Sequence, residues 1–262
     1  MQVEKVTDYI VKWLKQYALN AGMDGFVVGV SGGIDSGVTS TLCAMTGLKT
    51  LCVAMPIHQT KSHVNRAQEH ITQLQERFSN VTNTQVDLTP VFETLKTQLP
   101  QSNQTDILQV SLANTRARLR MSTLYYFAGL HRFLVVGTGN KVEDFGVGFY
   151  TKYGDGGVDL SPIADLVKSE VFTLGKHIKV PTAILEAEPT DGLFGDSRTD
   201  EDQIGASYDE LEWAMKAQDL GKSINDFTGR KREVFNLYTK LNKANQHKMN
   251  PIPICKIPMN FS

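Results

Sequence analysis

Apolar residues recur at Val3, Val6, Ile10, Trp13, Leu14 and Tyr17, a spacing that gathers them on one face of a helix over residues 3–19. A turn at 21–25 leads into FVVGV (26–30), an apolar run of strand type that stops at the glycine-rich SGGIDS (31–36). Helical spacing resumes from Val38 to Met45. The run KTLCVAM (49–55) predicts a second buried strand, Val64 to Phe78 a helix, and Thr84 to Leu88 a short third strand. Residues 100–106 read as a loop, Ile107 to about His131 as a long helix, and Phe133 to Val136 as a fourth strand. Beyond residue 160 the pattern turns helical, with helices expected at 167–178, 208–220 and 230–246.

Strands alternating with helices predict an α/β fold: a doubly wound parallel β-sheet flanked by helices, with a helical C-terminal part. Ligands of such sheets collect beyond the C-terminal ends of the strands. Both unusual segments leave from such ends: SGGIDS after the first strand, and GTGNKVEDFGVGFYTKYGDGGVD (137–159) after the fourth. They are expected to lie side by side. A third segment, PTDGLFGDSRTDED (189–202), reads as a long exposed loop, the kind that serves function. With no repeats and no boundary signal, residues 1–262 are read as one domain.

Composition narrows the class. The 262 residues carry 27 Lys+Arg against 28 Asp+Glu, a formal charge of -1, with 41% hydrophobic and 21% charged residues. These are values of a soluble globular chain, and near-neutrality argues against a nucleic-acid or membrane-surface partner. No run approaches bilayer length and MQVEKVTDYI is not a signal core, so the expected compartment is the cytoplasm. Cys43, Cys52 and Cys255 form no C-x-x-C pair, and the six histidines show no metal-ligand spacing; the cysteines are expected in the core.

The chemistry lies in the glycine-rich segments. Gly32 and Gly33 allow positive φ and close approach to an anion, Ser31 and Ser36 add hydroxyls, and a following helix presents free N–H groups. Asp35 would repel a bare phosphate but fits if a divalent cation bridges the two. The bland alternative is a tight turn in which Asp35 caps the helix. Arg116, Arg118 and Arg120 share a helix, where a solvated basic face is the ordinary reading and an anion clamp the functional one. In 137–159, Glu143 and Asp144 are candidate cation ligands. Lys152, and Lys168 beyond the segment, suit phosphate, while Asp155 and Asp159 suit hydrogen bonding or proton transfer. Phe145, Phe149, Tyr150 and Tyr153 favour an ordered loop over a free linker.

SGGIDS resembles the signature of the N-type ATP pyrophosphatases, the PP-loop enzymes. Further segments, in order GVSGGIDS, NTRARLRM, GTGNK, FYTKYGDGGVDLSPI, DLVK, EPTDGL, DEDQIGASYDELE and QHK, resemble the ammonia-dependent NAD synthetase family along most of the chain. The resemblance implies ATP-dependent amidation of deamido-NAD by ammonia through an acyl adenylate, with magnesium and a homodimeric assembly. Carried over by position, Gly29, Val30, Ser31, Gly32, Gly33, Ile34, Asp35 and Ser36 would hold ATP phosphates, with Thr138, Lys168 and Thr190. Asp35 and Glu143 would hold magnesium. Arg118, Lys152, Asp159, His247 and Lys248 would contact deamido-NAD, and Asp155 would accept a proton from ammonium. The segments 144–157 and 189–203 are expected to act as lids.

Two departures stand out: Met55 precedes Pro56 where many relatives have an arginine on adenosine, and Asp191 and Phe194 alter the P-T-x-G-L segment. No block is left for a fused glutaminase and no cysteine sits in a glutaminase context, so free ammonia is the expected nitrogen donor. The rivals are a GMP synthetase-like or tRNA-modifying PP-loop enzyme and a non-catalytic nucleotide-binding regulator. The first lacks a xanthine-nucleotide pocket here, the second a basic face, and the third has no need of Asp35 with Glu143.

Overall fold

The computed structural model describes residues 1–100, 102–188 and 199–259. Helix α1 (Val3–Asn20) presses Ile10 and Leu14 into the interior, as its spacing predicts, together with Thr7 and Ala18, whereas Trp13 and Tyr17, expected on the same face, are exposed. Strand β1 (Gly25–Gly29) follows, then α2 (Ile34–Met45), β2 (Lys49–Ala54), α3 (Lys61–Arg77) and β3 (Val81–Gln85). Helices α4 (Thr89–Gln98) and α5 (Thr105–His131) lead to β4 (Phe133–Val136), which passes into a π-helical turn, Val142–Val147. The remainder is helical: α6 (Lys168–His177), α7 (Thr182–Leu185), α8 (Asp200–Ile204), α9 (Tyr208–Asp219) and α10 (Gly229–Met249).

The four strands pair in parallel in the order β3-β2-β1-β4. The chain therefore moves outward through β2 and β3, then returns across to the other side of β1. That reversal places a topological switch point between β1 and β4, where the segments leaving the two strands diverge and open a crevice. It is the arrangement the sequence implies.

Alternation along β1 divides the core. Phe26 and Val28 join Leu14, Leu42, Val136 and Leu174 on one face, whereas Val27 joins Leu51, Val53, Phe92 and Val135 on the other. A separate cluster of Val142, Val147, Tyr208, Leu211, Phe235 and Tyr238 holds the π-helical turn against α9 and α10. The helical C-terminal part thus grips the segment that leaves β4.

Several boundaries differ from expectation. Helix α2 begins at Ile34, inside SGGIDS, not at Val38, because Gly33 serves as its N-cap. Strand β3 lies at Val81–Gln85 and not 84–88, since its register pairs Thr50 with Val81 and Ala54 with Gln85. Its polar edge-strand sequence, VTNTQ, carries little strand signal. Helix α4 buries only Phe92, too few apolar positions for periodicity to announce it. Part of the predicted loop at 189–202 is helical as α8, capped by Thr199, whose hydroxyl accepts from the Asp202 N–H; residues 189–198 lie outside the described residues. Cys43 and Cys52 are buried as expected, but Cys255 is exposed, because residues 250–259 leave the body after α10.

Leu14 is fully buried in the α1-facing cluster. Leu14→Ala is expected to destabilise the protein by about 2–5 kcal/mol in urea unfolding.

Candidate functional site

At the C-terminal end of β1 the chain turns through Ser31–Ser36. Gly32 has φ +86, and a Cβ there would meet the His63 carbonyl oxygen at 2.8 Å, so glycine is required twice over. Gly33 instead has φ -94, against the expectation of positive φ at both glycines. Ser36 Oγ stitches the loop, accepting from the Ser31 N–H at 3.2 Å and donating to the Gly33 carbonyl at 3.0 Å. Gly33 N–H in turn donates to Ser31 Oγ.

The segment leaving β4 meets this loop through one amide. Asn140, fully buried, accepts from the Val142 and Glu143 N–H groups at 3.1 Å each and donates from Nδ2 to Asp35 Oδ1 at 3.1 Å. Gly139 is needed beside it, because a Cβ there would stand 2.0 Å from Asp144 Oδ2. Lys168, the first residue of α6, is 3% exposed and donates from Nζ to Asp35 Oδ2 at 2.7 Å and to Glu143 Oε1 at 2.8 Å. Its ammonium also lies 4.6 Å from the Tyr208 ring centre. Tyr208 O–H donates to Glu143 at 2.5 Å and to Asp200 Oδ2 at 3.3 Å.

Charge in this cluster follows from burial and that one cation. Burial penalises Lys168's charge, but Asp35 and Glu143 outweigh it and raise its pKa. Burial raises the Asp35 carboxyl even against Lys168. Burial acts upward on Glu143 too, yet Lys168 and hydrogen bonds from Lys168, Tyr208 and Asn140 hold it below the ordinary value. Asp144 is raised well above its usual range by burial and by the charges of Glu143, Asp155 and Asp35. Asp155 is exposed to the solvent of the pocket but crowded by surrounding protein; this desolvation pushes it up to about 6 although the Thr151 N–H donates to it at 3.0 Å.

These groups line a cavity of about 280 Å³. Its wall holds the whole of Gly29 to Ser36, with Thr138, Glu143, Asp155 and Lys168. One flank is apolar: Met55 and Leu124 face Gly29 and Met121 lies against Gly157, while Arg120 Nε donates to the Met55 carbonyl at 3.0 Å. The three arginines of α5 thus diverge. Arg116 lies over the Phe92 ring at 4.5 Å, and Arg118 is exposed and donates to the Lys152 carbonyl at 3.3 Å.

The remaining predicted residues sit elsewhere. Arg118, Lys152, Asp159, His247 and Lys248 do not line this cavity. Lys152 Nζ reaches the His247 carbonyl, which links Arg118, Lys152 and α10 in series. Lys248 donates to the Gly148 and Tyr150 carbonyls at 2.8 and 2.9 Å, and His247 is exposed. Asp159 accepts from the Val135 N–H at 2.8 Å and the Tyr125 hydroxyl at 3.0 Å. Thr190, Asp191 and Phe194 lie outside the described residues. Segment 144–157 is folded into successive turns, with Gly154 and Gly156 N–H groups donating to the Thr151 carbonyl. Asn140, Tyr208 and Asp200 were not singled out in the sequence, although Asn140 lies within GTGNK and the other two within the DEDQIGASYDELE block.

Comparison with known proteins bears on the same segments. The profile of the NAD synthase family matches residues 6–252. An NH(3)-dependent NAD(+) synthetase of Methanosarcina acetivorans is 34% identical over 260 residues, covering 97% of this chain and 98% of its own. One from Methanococcoides burtonii is 38% identical over 222 residues, covering 82% and 80%. Among solved structures, an NMN synthetase from Francisella tularensis superposes with a TM-score of 0.83 at 30% identity, covering 99% of each chain. The NH3-dependent NAD synthetase of Campylobacter jejuni gives 0.78 at 25% identity, covering 98% and 100%. A match of this extent, over the SGGIDS loop and the β4 exit segment alike, makes this chain a member of the NAD synthase family.

Proposed function

We propose that the protein is a carbon–nitrogen ligase that amidates deamido-NAD with ammonia, using ATP and yielding NAD, AMP and pyrophosphate. The observation that carries this reading is the near-full-length match to NH(3)-dependent NAD(+) synthetases. The cavity supplies a fitting chemistry. A carboxylate is a poor electrophile, so one of its oxygens attacks the α-phosphorus of ATP and the bond to pyrophosphate breaks. Ammonia then attacks the acyl carbon and AMP departs.

In this reading Gly29 to Ser36, Thr138, Lys168 and Thr190 hold ATP, and Arg118, Lys152, Asp159, His247 and Lys248 hold deamido-NAD. Placement of the second group outside the ATP cavity is consistent with a dinucleotide reaching in from another surface. Loss of one preorganised contact to the developing charge would cost about 3 kcal/mol. Asp155 is the proton acceptor: its carboxylate faces the cavity, and a pKa near 6 keeps it ionised at neutral pH while raising its basicity.

Magnesium is the proposed cofactor. No group of three or more ligating side chains occurs among the described residues. Asp35 and Glu143 nevertheless fit a hard cation that takes one or two carboxylates and completes its shell with phosphate oxygens and water. When bound it would neutralise phosphate charge. The protein is further proposed to act on free ammonia as a single synthetase unit, in the cytoplasm, and as a homodimer. Exposed Ile107, Val110, Tyr126 and Leu130 on α5 suit a subunit contact, and no described helix is long and apolar enough to cross a membrane.

With ATP, magnesium and ammonium, the purified protein should release pyrophosphate and NAD in equal amounts from deamido-NAD. Nicotinic acid mononucleotide, xanthosine monophosphate and tRNA serve as competing substrates; preference for any of them would replace this reading, the first in favour of the activity named for the Francisella protein. At fixed total ammonium, kcat/KM should rise with pH through about 6, as Asp155 loses its proton, and then level. Asp155→Asn should remove that step and most amide synthesis; full activity in the variant would contradict the role.

A further inference from the structure

Helix α3 brings to the phosphate loop a cation that the sequence reading leaves unassigned. Arg66 is half-buried and lines the ATP cavity. Its Nε donates to the Gly32 carbonyl at 3.4 Å, and its Cβ lies 3.3 Å from where a Gly32 Cβ would stand. The guanidinium is therefore held against the middle of the loop. His63, one turn earlier, lines the same wall and is pushed towards its neutral form by burial and by Arg66.

Electrostatics gives this placement a purpose. The cavity is walled by Asp35, Glu143, Asp144, Asp155, Glu188 and Asp200, against the charges of Lys168, Arg120 and Arg66. Lys168 is engaged with two carboxylates, and Arg120 reaches towards the Met55 carbonyl on the apolar flank. Among the described residues Arg66 forms no ion pair, and neither Nη donates to a protein acceptor. A half-buried guanidinium with a free fork beside a phosphate-type loop is suited to two parallel hydrogen bonds with phosphoryl oxygens.

We propose that Arg66 contacts the pyrophosphate half of ATP and stabilises the negative charge it gains as the α-phosphorus–oxygen bond breaks. The electron pair of that bond departs with the pyrophosphate, where the guanidinium meets it, while the new bond forms between the substrate carboxylate oxygen and phosphorus. The proposal rests on the synthetase reading for the reaction, but its binding component stands by itself.

Titration calorimetry of magnesium pyrophosphate and of AMP into wild type, Arg66→Gln and Arg66→Lys tests it. Arg66→Gln should weaken pyrophosphate binding about tenfold or more with AMP unchanged, the scale of a lost charged hydrogen bond. Arg66→Lys, a point charge without the fork, should fall between, and it carries the comparison should Arg66→Gln fail to fold. In turnover, kcat/KM for ATP should fall with the same ranking. Unchanged pyrophosphate affinity in the variants overturns the proposal. So does an equal loss for pyrophosphate and AMP, which would mean that Arg66 only props Gly32. Wild-type turnover of deamido-NAD is measured separately, so failure of the reaction reading remains distinguishable from failure of this contact.

Discussion

A single buried ammonium, that of Lys168, holds Asp35 and Glu143 together at the mouth of the sheet. Without it, two largely buried carboxylates would face each other with Asp144 and Asp155 close by, and their repulsion would push β4's exit segment away from α2. With it, part of that negative charge is offset at the point where the start of α2, the π-helical turn and the start of α6 converge. Tyr208 extends the link into α9, and Ser169, next to Lys168, donates from N and Oγ to Glu212 at 2.8 and 2.7 Å. The helical C-terminal part is thereby registered on the sheet by polar contacts as well as by its own apolar cluster.

The location of this cluster follows from topology. Strands β1 and β4 are neighbours although most of the sheet is laid down between them, so the segments they release diverge from adjacent starting points. Glycine makes the approach possible: Gly32 against α3, and Gly139 against Asp144. The apolar faces of β1 fix where the loop begins, and its serines hold the turn in shape through hydrogen bonds to the Ser31 and Gly33 backbone. Backbone geometry, packing and charge thus converge on one cavity.

Much of this was legible in the sequence because local patterns carry it. The apolar runs of β1, β2 and β4 and the inward side of α1 at Ile10 and Leu14 needed only periodicity, and SGGIDS with 137–159 marked the two site-forming segments. What escaped depends on distant partners. Lys168 meets Asp35 across 133 residues, and nothing in the sequence says that one ammonium serves both acids. Asn140 and Tyr208 are ordinary polar residues until the fold gives them Asp35 and Glu143 as partners. Arg66 sits on a helix with several charged residues, and nothing local marks it as the one that meets Gly32. Strand β3 was displaced because an exposed edge strand does not need the apolar alternation that periodicity detects.

The dependence of the site on Lys168 can be measured directly with a double-mutant cycle of Lys168→Met and Glu143→Gln in urea unfolding, without nucleotide. Lys168→Met alone should cost about 3–5 kcal/mol, because it strands buried carboxylates. Neutralising Glu143 in the same chain should recover part of that loss, leaving a coupling energy towards the top of the usual range of about 0.5–3 kcal/mol. Effects that add to within about 0.5 kcal/mol would show that the two groups do not depend on one another. The site would then not be organised by one shared cation.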